Sequence, residues 1–304
     1  MNKKVRTASL SILSNSSLII MKTVIGLLSG SVSIISEAIH STMDLLAAII
    51  AFFSVKVSDK KPDEEHPYGH GKVENISGVI EALLIFVAAV WIIYEAINKI
   101  LNQKEIENLG WGFLVMFISG VINFFVSRRL YKVAKETDSI ALEADALHLK
   151  VDVYTSLGVA LGLGLIWVTG YHILDPIVAI LVALLILRES YILLMNAYSP
   201  LLDTKLPDNE IEIIKNAINS KKFGCLTFHQ LRTRKSGHLK YVDLHLEVPQ
   251  RYSVKESHDI CDAIEKEIES KIKFIEVHIH VEPCPGTCDD CESPNRFKKN
   301  QSIN

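Results

Sequence analysis

Six apolar stretches occupy the first two thirds of the chain, near residues 9–30, 33–55, 76–98, 111–127, 140–168 and 174–196. A bilayer core takes about 20 helical residues to cross, and these stretches approach or exceed that length. Backbone groups in hydrocarbon must be bonded within their own segment, so the pattern predicts a six-helix transmembrane α bundle. The alternation expected of membrane barrel strands is absent. The fourth stretch is the shortest, and the fifth is interrupted by charged residues.

From about Leu206 the periodicity changes. Pro207-Asp208 reads as a helix start, followed by apolar positions Ile211, Ile213, Ile214 and Ile218. Two strand-like runs, Leu226–Thr233 and Leu239–Val248, flank the hairpin signal Lys235-Ser236-Gly237. Ser253 opens an amphipathic helix with Ile260, Ala263, Ile264 and Ile268 on one face, and Phe274–Val281 alternates as a strand. The order αββαβ predicts a small α+β domain of roughly 80 residues. The expected division is a transmembrane domain over 1–203, an α+β domain over 204–283 and a cysteine-containing, disordered tail over 284–304.

Composition sharpens this picture. The 304 residues are 49% hydrophobic and 22% charged, with a mean hydropathy of +0.24, because the charges gather at the N-terminus, in short loops and in the last third. A net charge of −3 gives a nucleic-acid partner no electrostatic support. Basic residues set the orientation. Lys3, Lys4 and Arg6 precede the first stretch, Lys60, Lys61 and Lys72 follow the second, and Arg128, Arg129, Lys132 and Lys135 follow the fourth. On the opposite side Lys104 is balanced by Glu105 and Glu107. Both termini are therefore expected in the cytoplasm. The first stretch has no small-residue cleavage site and reads as a span, not a removed signal peptide. Five cysteines without paired spacing predict no disulfides.

A carboxylate at mid-bilayer costs at least about 2.5–3.5 kcal/mol on insertion scales, so its presence calls for a reason. The second stretch carries Glu37, His40 and Asp44, and the fifth carries Glu143, Asp145, His148, Lys150 and Asp152. Both contain His-x-x-x-Asp, which puts two side chains one turn apart on one helical face. Opposed, His40, Asp44, His148 and Asp152 present two imidazoles and two carboxylates, a set suited to tetrahedral Zn²⁺. A buried structural hydrogen-bond network is the other reading. A third copy, His258-x-x-x-Asp262, lies on the soluble amphipathic helix, so location and not spacing carries the argument. No His-Glu-x-x-His motif is present, and four protein ligands leave no open position for activated water, which argues against an enzyme.

These residues resemble a known family. Gly30-Ser31-Val32-Ser33 with Glu37-Ala38-Ile39-His40-Ser41-x-x-Asp44, then His66-Pro67-Tyr68-Gly69-His70-Gly71-Lys72-x-Glu74, then Glu143-Ala144-Asp145-Ala146-x-His148-x-x-x-Asp152, are similar to the signatures of the cation diffusion facilitators. The resemblance runs in order to about residue 283. It implies a homodimeric exporter of divalent metal from the cytoplasm in exchange for protons, with a metallochaperone-like soluble domain. With His40 as the first ligand, the quartet is associated with zinc, in keeping with the fit of imidazole to Zn²⁺. Fe²⁺, Mn²⁺, Cd²⁺ and Co²⁺ remain alternative cargoes, and a metal sensor or scaffold without transport is the rival function.

The resemblance also implies two secondary metal sites. Asp63, His66 and His70 lie in the loop after the second stretch, at a spacing that one short turn gathers around an ion. His229, His245, His280 and Glu282 fall on strands of the soluble domain, with His258 as a further contributor. The implied role of that site is to sense cytoplasmic metal by bridging two protomers. The compact length points to a prokaryotic plasma membrane.

Overall fold

The computed structural model describes residues 3–29, 32–102, 110–169, 171, 173–220 and 227–285. The tail cysteines Cys288 and Cys291, Cys225, and the balanced loop of Lys104, Glu105 and Glu107 lie outside the described residues. The chain divides into two units, residues 1–201 and 202–304.

The first unit is built from α1 (Lys3–Ser29), α2 (Val32–Ser58), α3 (Lys72–Asn102), α4 (Gly110–Thr137), α5 (Ile140–Thr169) and α6 (Leu174–Tyr198). The most extensive packing joins α3 to α6, α1 to α2 and α4 to α5. Small residues fill these contacts: Ala47, Ala48, Ala51, Ala82, Ala89, Ala144 and Ala183 are all essentially buried. Small side chains let helix backbones approach where lipid offers no hydrophobic drive to associate. Gly158 shows the tolerance of the α5–α6 contact, since a Cβ there would sit 2.9 Å from Val182 Cγ2. Large apolar side chains face outward instead, with Leu28 84% and Trp91 65% exposed. Apolar surface on this scale suits a hydrocarbon solvent and not water.

All six expected stretches are helical, and one boundary is adjusted. Among the described residues, five helices are long and apolar enough to cross a membrane, in α1, α2, α3, α4 and α6. The fifth stretch forms the 30-residue α5, with Glu143, Asp145, Lys150 and Asp152 in its first half. The basic run Arg128–Lys135, read as a connection, is helical and completes α4. Arg and Lys are good helix formers, so nothing there stops the helix. The stop comes at Asp138, whose φ of 52° is left-handed, and α5 resumes at Ile140. Ser139 spans the break: its N–H donates to the Ala134 carbonyl at 3.0 Å, and its hydroxyl accepts from the Leu142 N–H at 3.4 Å.

A buried ionic knot ties the neighbouring helix ends. Lys4 Nζ lies 3.1 Å from Glu74 Oε1 and 3.4 Å from Asp59 Oδ1. Ser58 Oγ donates to Glu74 Oε1 at 2.6 Å, and Ser139 Oγ donates to Glu74 Oε2. Glu74 is fully buried, so these partners replace the water it gives up.

The second unit contains α7 (Asp208–Ser220), β1 (Thr227–Ser236), β2 (Leu239–Val248), α8 (Val254–Lys271) and β3 (Ile275–Pro283). Strand order is β1-β2-β3, with β1 antiparallel and β3 parallel to β2. A parallel return needs a crossover, and α8 supplies it. The β1–β2 turn uses Gly237 at φ 60°, which glycine adopts without strain. Period-two alternation in β2 sends Val242, Leu244, Leu246 and Val248 into a core with Ile214, Ile264 and Ile268, leaving His245 on the other face. Ser253 caps α8 through a capping box with Glu256. The hydrogen bonds from the Ser253 backbone N–H and hydroxyl hold the Glu256 carboxyl below its ordinary value. Cys284, at the start of the expected tail, is buried, and its N–H donates to the Val248 carbonyl at 2.8 Å.

Candidate metal centres

In the helical unit, α2 and α5 bring two ionisable side chains together. His148 Nε2 lies 3.0 Å from Asp44 Oδ1, and Asp44 is buried. Asp152 stands one turn further along α5, where Asn123 Nδ2 on α4 donates to its Oδ2 at 2.9 Å. The amide of Asn15 on α1 donates to the Asp44 carbonyl at 3.4 Å. His40 lies on α2, one turn before Asp44, with its side chain outside the described residues. Lys22 donates to Ser41 at 2.7 Å.

Two neighbouring carboxylates are completely buried. Asp145 on α5 accepts from Ser11 Oγ at 3.0 Å, and Glu81 on α3 accepts from Ser77 Oγ at 3.1 Å. Among the described residues, each has a second oxygen without a hydrogen-bond partner, Oδ2 in Asp145 and Oε2 in Glu81. Sequence reasoning assigned no role to Glu81 or Asn123. A carboxylate well inside the apolar stretch 76–98, whose other one, Glu95, lies near its end, was the available signal for Glu81, whereas a single amide in a span carries little cost and little signal.

The α2–α3 loop gathers Asp63, His66 and His70. His66 Nδ1 is 3.2 Å from Asp63 Oδ1, and His70 Nε2 is 3.3 Å from Asp63 Oδ2. Gly69 makes the turn possible at φ 77°, with its N–H donating to the His66 carbonyl at 2.9 Å. Candidate ligand atoms of the three residues lie within 4.8 Å of one another. The His66 backbone N–H is the main influence holding the Asp63 carboxyl below its ordinary value.

In the second unit the sheet aligns three histidines. His229 pairs with His245 across β1–β2, and His245 pairs with His280 across β2–β3. The register of β1 shifts between His229 and Arg232, and Gln230 takes a left-handed φ of 49° there. A bulge of this kind re-aims the side chains beside it. Glu282 Oε1 is 2.8 Å from His245 Nδ1, and its Oε2 is 3.3 Å from His229 Nε2. His280 Nε2 is 3.7 Å from Glu282 Oε1. The hydrogen bond from His245 is the main influence holding Glu282 below the ordinary carboxylate value. His229, His245 and Glu282 offer ligand atoms within 4.8 Å of one another. Tetrahedral Zn²⁺ at roughly 2.1 Å would draw such atoms to about 3.4 Å apart, a contraction that side-chain torsions can supply. His258 stands apart on α8, exposed and 3.6 Å from Asp262.

An apolar helical bundle with converging His and Asp side chains, joined to a small α+β domain with a His–Glu cluster, defines an integral membrane carrier of metal cations. Comparisons with known proteins agree. The family model described as the cation efflux transmembrane domain matches residues 8–202, and that of the cation efflux protein cytoplasmic domain matches 206–284. An uncharacterized transporter of Synechocystis is 34% identical over 91% of this chain and 89% of its own length. The cation-efflux pump FieF of Yersinia enterocolitica is 30% identical over 84% of each chain. A solved metal-bound C-terminal domain of the CzcD transporter from Thermotoga maritima is 28% identical, covering 27% of this chain and 98% of that one, at a TM-score of 0.23. The chain belongs to the cation efflux, or cation diffusion facilitator, family. It is a transporter and not an enzyme.

Proposed function

We propose that the protein exports a divalent cation, Zn²⁺ by preference, from the cytoplasm in exchange for protons. In this reading α5 crosses the membrane as a sixth span, and both termini are cytoplasmic. The transmembrane part runs over 1–203, the soluble domain over 204–283 and the tail over 284–304. Two copies form a homodimer in a prokaryotic plasma membrane. The cargo sits among His40, Asp44, His148 and Asp152. The approach of Asp44 to His148 at 3.0 Å between two helices is the observation that carries this reading.

Imidazole and carboxylate together suit Zn²⁺, whereas harder ions favour all-oxygen sets. A metal-binding imidazole must be unprotonated, so protons and metal compete for the same nitrogen. Alternating exposure of the quartet to the two sides converts this competition into exchange. Asp63, His66 and His70, and separately His229, His245, His280 and Glu282, hold donor types that fit resident Zn²⁺. In the soluble domain a bound ion would fix the histidine row and favour the folded, paired state of the domain.

The test is zinc flux through purified protein in pH-clamped liposomes. Flux should rise with an opposed proton gradient and vanish in Asp152→Ala. Flux indifferent to the gradient would overturn the antiport, and binding without flux would favour a sensor. Comparing Zn²⁺ with Fe²⁺, Mn²⁺, Cd²⁺ and Co²⁺ in wild type and His40→Asp tests the cargo preference.

A further inference from the structure

A groove of about 890 Å³ lies among α4, α5 and α6. Its two ends differ in chemistry. Towards the end of α4 and the start of α5 it is lined by Arg128, Lys132, Lys135, Lys150, Tyr131 and Glu143. Further along the helices the lining becomes apolar, with Phe124, Leu157 and Ile192. The span from Lys135 to Phe124 on α4 corresponds to about 16 Å of helix.

The charges in the groove do not cancel. Four cations face two carboxylates, Glu143 and Glu189. Both carboxylates already have cationic partners: Lys135 is 2.8 Å from Glu143, and Arg188 is 3.4 Å from Glu189. Among the described residues, Arg128, Lys132 and Lys150 form no salt bridge within 4.0 Å. Arg128 and Lys150 instead lie over aromatic rings, at 5.3 Å from Phe124 and 5.2 Å from Tyr154. Lys150 also hydrogen-bonds to Tyr154, and its remaining donors and those of Arg128 can still meet an anion.

We infer that this groove is a binding site for one anionic phospholipid, with the phosphate at Arg128, Lys132 and Lys150 and an acyl chain along Phe124, Leu157 and Ile192. A basic pocket between membrane helices, opening into an apolar slot, matches both halves of such a molecule. Phe124, Leu157 and Ile192 are exposed in the protein, so within a bilayer hydrocarbon covers them. A second copy of the chain is the poorer occupant. A two-fold contact centred here would press the positive patch against itself, at a cost in like-charge repulsion.

The experiment uses the full chain in nanodiscs containing phosphatidylglycerol and phosphatidylcholine, with retained lipid measured after extraction by native mass spectrometry. Wild type should retain phosphatidylglycerol selectively. Arg128→Gln with Lys150→Gln should lower that selectivity by about fivefold per cation removed. Arg129→Gln with Lys56→Gln removes equal charge from exposed positions outside the groove and should leave it unchanged. Equal retention of the two lipids by wild type would overturn the assignment. So would an equal loss in both paired variants, or cross-linking between copies through a cysteine placed at Leu157.

Discussion

Asp44 and His148, separated by 104 positions in sequence, meet at 3.0 Å between α2 and α5. The contact joins a buried carboxylate to an imidazole between two helices of the apolar unit, where unpaired charge is costly. Asp44→Asn keeps an oxygen able to accept from His148, so the helices should still pair and the protein should still fold. It loses an anionic ligand, and zinc flux should fall by more than the roughly 10–100-fold seen on losing an outer partner. Flux in liposomes, with size-exclusion profiles as the folding control, checks this.

Asn123 orients Asp152 through a 2.9 Å hydrogen bond without being placed among the ligands. Asn123→Ala should weaken Zn²⁺ affinity by roughly 10–100-fold while leaving secondary structure intact. Titration calorimetry on the purified transporter measures this directly.

The Lys4–Glu74 pair is a matter of stability. Glu74→Leu breaks the buried pair with Lys4 and should cost about 3–5 kcal/mol, the usual penalty for breaking such a pair. Combining it with Lys4→Met should recover much of the loss. Thermal unfolding in detergent compares the two.

Glu282 has a pH signature. Its pKa is lowered on folding from the ordinary 4.5, chiefly by the hydrogen bond from His245. The stabilisation is therefore fully present above the unfolded value and is lost as pH falls through the lower folded value. Denaturation of metal-free protein should show a wild-type advantage over Glu282→Gln near neutrality that shrinks below about pH 4.5. Equal stability of the two proteins at neutral pH would contradict it.

Ser253 and Glu256 form the capping box of α8. Ser253→Ala should destabilise the second unit by about 1 kcal/mol. In a domain of this size that corresponds to a fall of about 4–8 °C in Tm, which calorimetry resolves.

The sequence showed some of this plainly and hid the rest for physical reasons. His40, Asp44, His148 and Asp152 stood out because charge inside an apolar stretch needs explaining. The reach of α4 to Thr137 was hidden, because basic residues set orientation in a loop or a helix alike. His229, His245 and His280 were legible as strand residues, yet their alignment depends on the register of β1 and β2 and on the bulge at Gln230. The hairpin of β1 and β2 is local, but the parallel pairing of β2 with β3 across α8 leaves no mark in the sequence. Asn123 was missed because its importance comes from what it holds.

The turn at Asp138 and Ser139 has a mechanical consequence. So short a link, reinforced by Ser127 Oγ donating to the Ala146 carbonyl at 2.9 Å, couples α4 and α5 into a single lever. In the proposed alternating access, a tilt that carries His148 and Asp152 from one side to the other would take Asn123 along with them. The carboxylate would then keep its orienting amide through the proposed stroke, leaving reorganisation to its partner on α2.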